Sequence, residues 1–190
     1  MRSSTMRWMR YTAFYLEDKF IYRWSYTKAG SMLEIPVSYS RLLGLLRLLR
    51  DLGGKADVAK ISEETDMHAD EILPLLAFSE MIGLISVDEG DAKLTESGMN
   101  FLKQGHMGRA KYVRNKLMEL NVFSEIMNEL KKKGSLEKED VIEIIASKGG
   151  FCYCNNLEEA FNCLVHWGVY SGLIEYDREE NLIRLGEVNT

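Results

Sequence analysis

The amino-acid sequence predicts a mainly α (α+β) fold made of two like units, each of three helices followed by a small β-hairpin. GLISVD at Gly83 to Asp88 returns as GLIEYD at Gly172 to Asp177. Upstream of each copy lies a related piece, ADVAKIS at Ala56 to Ser62 and EDVIEII at Glu139 to Ile145. Two landmarks recurring at similar spacing are what a duplicated unit leaves in a sequence. Between them, apolar residues recur every three or four positions, the period of a helix with one buried face.

In the first unit, Ser38 is placed to cap a helix from Arg41 to Leu52, with Leu42, Leu45, Leu46, Leu49 and Leu52 at helical spacing and Gly53 and Gly54 as its stop. A second helix is predicted over Asp57 to Thr65 and a third over Asp70 to Met81, where Ile72, Leu75, Leu76 and Ser79 share one face. Pro74 falls near the start of that third helix, where a missing N–H does least harm. Leu84 to Val87 and Ala92 to Leu94, joined by Asp88 to Asp91, read as a hairpin.

The second unit repeats this order. Phe123, Ile126, Met127 and Leu130 mark its first helix, closed by Lys131 to Lys133, which suit the negative end of the helix dipole, and by Gly134. Ser135 is expected to start the next helix, and Asn156 with Glu159 resembles a capping box opening the third. The second hairpin is predicted from Leu173 to Tyr176 and Asn181 to Leu185. Three helices and a hairpin in this order make a winged helix, a variant of helix-turn-helix. The predicted organisation is an N-terminal arm at 1–34, a first winged helix at 35–95, a connecting helix at 96–120 and a second winged helix at 121–190.

The arm concentrates Trp8, Tyr11, Phe14, Tyr15, Phe20, Tyr22, Trp24 and Tyr26, rings that must be covered by the arm's own domain or by a partner. A homodimer through residues 1–34 is one way to cover them. No stretch reaches the roughly 18 uncharged apolar residues of a membrane span, and no signal peptide is legible. The expected location is cytoplasmic, with the three cysteines reduced.

The 190 residues carry a net charge of −5, unevenly spread. Basic residues outnumber acidic by six to two in 1–30 and by eight to three in 101–135; acidic outnumber basic by thirteen to six in 31–100 and by eleven to four in 136–190. A groove-reading helix needs Arg, Lys, Asn or Gln at base edges and cations on phosphates. The third helices offer His68, Asp70, Glu71, Ser79 and Glu80, and Glu158, Glu159, Asn162 and His166, with no Arg or Lys in either. The hairpin tips, DEGD and DREE, are mostly acidic as well. DNA is therefore disfavoured as a partner. The alternative, a DNA-binding transcriptional regulator, would use Lys103, Arg109, Lys111, Arg114 and Lys116 of the connecting helix.

From Ile35 to Gly186 the chain resembles the C-terminal AAA-associated domain, the module that follows the ATPase domain in some importers of the nitrate, sulfonate and taurine type. The resemblance is carried by IPVSYSRLLGLLRLLRDLGGKADVAKISEETDM, by ADEILPLLAFSEMIGLISVDEGDAKLTESG and by VHWGVYSGLIEYDREENLIRL. It implies a regulatory or docking role beside a transporter ATPase, here one encoded separately, with no catalytic residues to carry over. GGK at Gly53 to Lys55 lacks the glycine spacing and hydroxyl of a phosphate-binding loop, so ATP hydrolysis by this chain is not expected.

No enzymatic constellation is legible: His68, His106 and His166 are far apart in sequence, and no nucleophile motif is present. The expected role is non-enzymatic, with no cofactor. One cluster remains, Cys152, Cys154, Cys163 and His166 in the pattern C-x-C-x8-C-x2-H. Three thiolates and an imidazole suit tetrahedral zinc, but C-x-C splays its side chains when extended, and cysteine often serves as a small buried hydrophobe. The reading adopted assigns no metal.

Overall fold

The computed structural model describes residues 37–149, 154 and 156–186, and the aromatic arm lies outside the described residues. Residues 34–190 form one compact unit. It is mainly α, with two small antiparallel sheets. The first half runs α1 (Tyr39–Asp51), β1 (Lys55–Asp57), α2 (Val58–Thr65), α3 (Ala69–Met81), β2 (Ile85–Asp88) and β3 (Asp91–Leu94). Then come α4 (Glu96–Lys103) and α5 (His106–Met118). The second half runs α6 (Asn121–Lys133), β4 (Ser135–Glu137), α7 (Lys138–Lys148), α8 (Leu157–Tyr170), β5 (Ile174–Asp177) and β6 (Leu182–Leu185). The two halves share the order α, β, α, α, β, β.

Helix positions follow from caps and periodicity. Ser38 accepts from the Arg41 N–H at 3.4 Å, and Leu42, Leu43, Leu45, Leu46 and Leu49 of α1 are buried. Asp57 accepts from the Lys60 N–H to start α2, and Asn156 accepts from the Glu159 N–H at 2.9 Å to start α8. Pro74 sits in the second turn of α3, later than expected, so the Asp70 carbonyl lacks its helical donor.

Two short strands were not expected. β1 pairs with β3 through Ala56 and Ala92, and β4 pairs with β6 through Leu136 and Ile183, so each sheet has three strands, ordered β1-β3-β2 and β4-β6-β5. Each added strand has three residues with one buried side chain in the middle, too short for a period of two to show. Ser135 consequently opens β4, and α7 starts later, where Glu137 and Asp140 form a capping box.

The connecting helix expected at 96–120 is two helices. Gln104 is extended and Gly105 caps α5. Arg109 bridges the break, its Nε donating to the Phe101 carbonyl at 3.0 Å and its Nη2 to the Leu102 carbonyl at 2.8 Å. The Phe101 carbonyl also accepts from the Gln104 N–H at 3.2 Å, so Arg109 adds a second donor there and supplies one to Leu102 in the last turn of α4.

The internal register of the two halves is fixed by repeated turn geometry. Gly83 and Gly172 both have positive φ, and the N–H of Leu84 and of Leu173 return to the carbonyls of Ser79 and Gly168. Position 83 therefore corresponds to 172, and Phe78 corresponds to Trp167. These two side chains, both fully buried, stack with ring centroids 4.5 Å apart.

Candidate interaction surfaces

The two halves meet around Trp167. Its Nε1 donates to the Val37 carbonyl at 2.9 Å, and the neighbouring His166 Nε2 accepts from the Tyr39 N–H at 3.1 Å. Tyr39 is the first residue of α1, so a side chain of the second half satisfies an N–H that the start of a helix in the first half leaves open. Tyr39 stacks on Tyr170 at 4.4 Å, His106 meets both rings edge-on, and Arg109 Nη1 donates to the Tyr39 hydroxyl at 3.1 Å. Burial pushes the Tyr170 phenol well above its usual range, and the Tyr39 hydroxyl adds to the shift. Among the described residues no well-formed hydrogen bond reaches the buried Tyr170 Oη.

His166 is held below the ordinary histidine value of 6.5 by burial. Its lone pair accepts a backbone hydrogen bond, and a proton there would break that bond and put positive charge at the positive end of α1. The folded state resists protonation, so between the folded and unfolded histidine values the unfolded chain binds the extra proton. Stability is therefore expected to fall as pH drops below 6.5, by at most about 1.4 kcal/mol per pH unit. Urea denaturation between pH 7 and 5 checks this: the slope should flatten in His166→Gln, and an unchanged slope assigns it elsewhere.

The five basic residues considered for nucleic-acid contact separate into different roles. Arg109 is consumed by two carbonyls and a tyrosine hydroxyl, as described above, and Lys116 pairs with Glu119 at 3.0 Å. Lys103 is exposed at the end of α4. Only Lys111 and Arg114 share an outward face, and on it they lie beside Met107, 71 % exposed, and Met118, 41 % exposed. At 100° per residue these four positions fall within one stripe of α5.

The third helices differ more than their shared place in the two halves suggests. On α3 the positions Leu73, Ala77 and Met81 recur every four residues, with Leu73 54 % and Met81 38 % exposed. Asp70 and Glu80 flank them, both exposed, and Glu80 accepts from the Val87 N–H at 2.8 Å, which brings the exposed Val87 beside the end of the helix. The corresponding residues of α8 are Asn162, His166 and Tyr170, all partly or largely buried. That face of α8 turns into the fold, against the start of α1 and the first turn of α5.

The cysteine and histidine cluster is not assembled as a site among the described residues. Cys152 lies outside them, and Cys154 is half-buried with its thiol pushed up to about 11 by burial and by Glu159. Cys163 is fully buried and disulfide-bonded, which corrects the expectation that all three thiols are reduced. His166 has its Nε2 engaged by Tyr39.

A shallow groove of about 300 Å³ between α6 and α7 is lined by Glu125, Glu129, Lys133, Asp140 and Glu143 over Leu136 and Ile144. Its carboxylates face lysines: Glu125 pairs with Lys148, Glu129 with Lys132, and Asp140 with Lys133. The Lys132 ammonium holds Glu129 below the ordinary carboxylate value. No helix among the described residues is long and apolar enough to cross a membrane.

Taken as a class, this is a mainly α protein of two like halves joined through buried aromatic rings. The family model of the C-terminal AAA-associated domain matches residues 59–177, and the chain belongs to that family. The matched region begins inside α2 and ends with β5, a shorter span than the resemblance drawn from Ile35 to Gly186. A search of curated proteins found no match.

Proposed function

We propose that this chain is a non-enzymatic docking or regulatory module built from two winged helices, acting on a protein partner. A transporter ATPase is the partner that family membership favours. The observation that carries this reading is the chemistry of the two third helices, the elements a winged helix would lay in a DNA groove. α3 presents Leu73, Ala77 and Met81 between Asp70 and Glu80, and α8 has turned the corresponding face inward. Neither helix carries an Arg or Lys, so a groove-reading pose would set carboxylates against phosphates.

A DNA-binding regulator using α5 is the weaker reading, because Arg109 and Lys116 are occupied within the fold and only Lys111 and Arg114 share an outward face. Fluorescence-anisotropy titration with duplex DNA at 50 and 150 mM salt separates the two. Docking predicts no saturation in the micromolar range at the higher salt. Tight binding with a steep salt dependence, lost in Lys111→Glu, would establish the DNA-binding reading instead.

A further inference from the structure

We infer that the outward face of α3, formed by Leu73, Ala77 and Met81 with Val87 at its end, is the docking surface, and that its occupant is a basic amphipathic helix of a partner protein. The inference rests on the docking reading above and names the face and the chemistry of what covers it.

The two halves supply an internal comparison. Positions 73, 77 and 81 correspond to 162, 166 and 170, as the matched turns at Gly83 and Gly172 establish. In the second half this face is covered by helix termini carrying Tyr39 and His106, so the fold itself uses the face for packing against an aromatic helical surface. In the first half the same face is apolar and exposed, with Leu73 more than half accessible. Apolar side chains there, in place of Asn162, His166 and Tyr170 of α8, suit burial against another apolar stripe.

Charge selects among possible occupants. Asp70 and Glu80 flank the stripe, Asp88 and Glu89 stand at the adjacent hairpin tip, and α3 has no basic residue. Asp88 is engaged by Lys93 at 3.4 Å, whereas Asp70 and Glu89 make no described ion pair. An apolar stripe rimmed by carboxylates complements a helix whose apolar positions at i, i+3, i+4 and i+7 are flanked by Lys or Arg. It repels acidic membranes and nucleic acids, which removes the other common surfaces that exposed apolar groups engage.

Site-specific photocrosslinking of the full chain, expressed in the cells that hold its natural partners, tests this. Benzoylphenylalanine is placed singly at Leu73, at Met107 on α5 and at Glu139 on α7, and crosslinked peptides are sequenced by mass spectrometry. The expected result is a protein adduct at Leu73 whose peptide has apolar residues at helical spacing with flanking Lys or Arg. Adding Asp70→Lys should reduce its yield at least tenfold, as should Met81→Glu, with circular dichroism confirming that each variant is folded. Adducts at Leu73 that map to nucleic acid, to an acidic segment or to this chain's own α5 from a second copy would overturn the assigned occupant. A protein adduct at Met107 without one at Leu73 would keep the docking function and remove this face. Absence of any protein adduct at all three positions would overturn both.

Discussion

Trp167→Ala is expected to lower stability by about 5 kcal/mol, enough to consume a large part of what holds a domain of this size folded. Two losses add. Removing a fully buried indole leaves a cavity and costs about 3–5 kcal/mol. The Val37 carbonyl, which receives the Nε1–H at 2.9 Å, is left without that donor, at a further cost of about 1–3 kcal/mol. The two terms overlap, because the cavity lets nearby groups and water relax, which is why the expected loss is set in the lower part of the combined range of about 4–8 kcal/mol.

Trp167→Phe separates the terms. A phenyl ring retains most of the stacking on Phe78, while the bond to Val37 is lost, so this variant should fall about 2 kcal/mol below the parent protein. Urea denaturation followed by far-ultraviolet circular dichroism measures both without relying on the tryptophan being removed. The two halves should unfold in one transition in the parent. If Trp167→Ala costs less than about 2 kcal/mol, the junction is not the centre of the fold. A Trp167→Phe variant as stable as the parent would mean the hydrogen bond contributes nothing net.

What the sequence made legible and what it hid follow from the range of the interactions. The repeated GLI turn, the leucine periodicity of α1 and the caps at Ser38 and Asn156 are local signals, and each marks an element that the structure contains. β1 and β4 gave none, because a three-residue strand is defined by its partner across the sheet. His166 shows the same limit over a longer span. Read along α8 it is a polar edge of a helix, and its actual partner, the Tyr39 N–H, lies 127 residues away. Arg109 resembled its basic neighbours in sequence, yet it serves the carbonyls at the end of α4, a role set by the break at Gln104 and Gly105. Charge composition carried further than motif reading did: the acidic character of α3 is plain in the sequence, and the structure adds that its apolar stripe faces outward.

Gly98→Ala and Gly108→Ala should move stability in opposite directions, although both put alanine for glycine early in neighbouring helices. Alanine in a helix gains about 1 kcal/mol over glycine when nothing else changes. At Gly108 the three atoms nearest a new Cβ all belong to the Gln104 side chain, at 3.1–3.4 Å, and a shift of a few tenths of an ångström in that exposed side chain keeps part of the gain. At Gly98 it would run into the Leu84 carbonyl oxygen and come within 2.7 Å of Leu94 Cδ1. The backbone at Leu84 has little freedom to withdraw, because its carbonyl accepts from the Thr95 N–H at 3.1 Å and from the Thr95 hydroxyl at 3.0 Å. Thr95 in turn caps α4 through the Gly98 N–H itself, so displacing the helix strains its own start. Overpacking of this kind costs about 1–3 kcal/mol, and with a backbone atom as the obstacle the upper end applies, leaving a net loss of about 2 kcal/mol after the propensity gain. This gives a physical reason for the LTESG segment that marks the family resemblance: Thr95 ties α4 to the turn after α3, and Gly98 lets the helix lie against that turn. Thermal unfolding of both variants decides it, since a Gly98→Ala protein as stable as Gly108→Ala would show that α4 can shift and that the contact with Leu84 does not fix it.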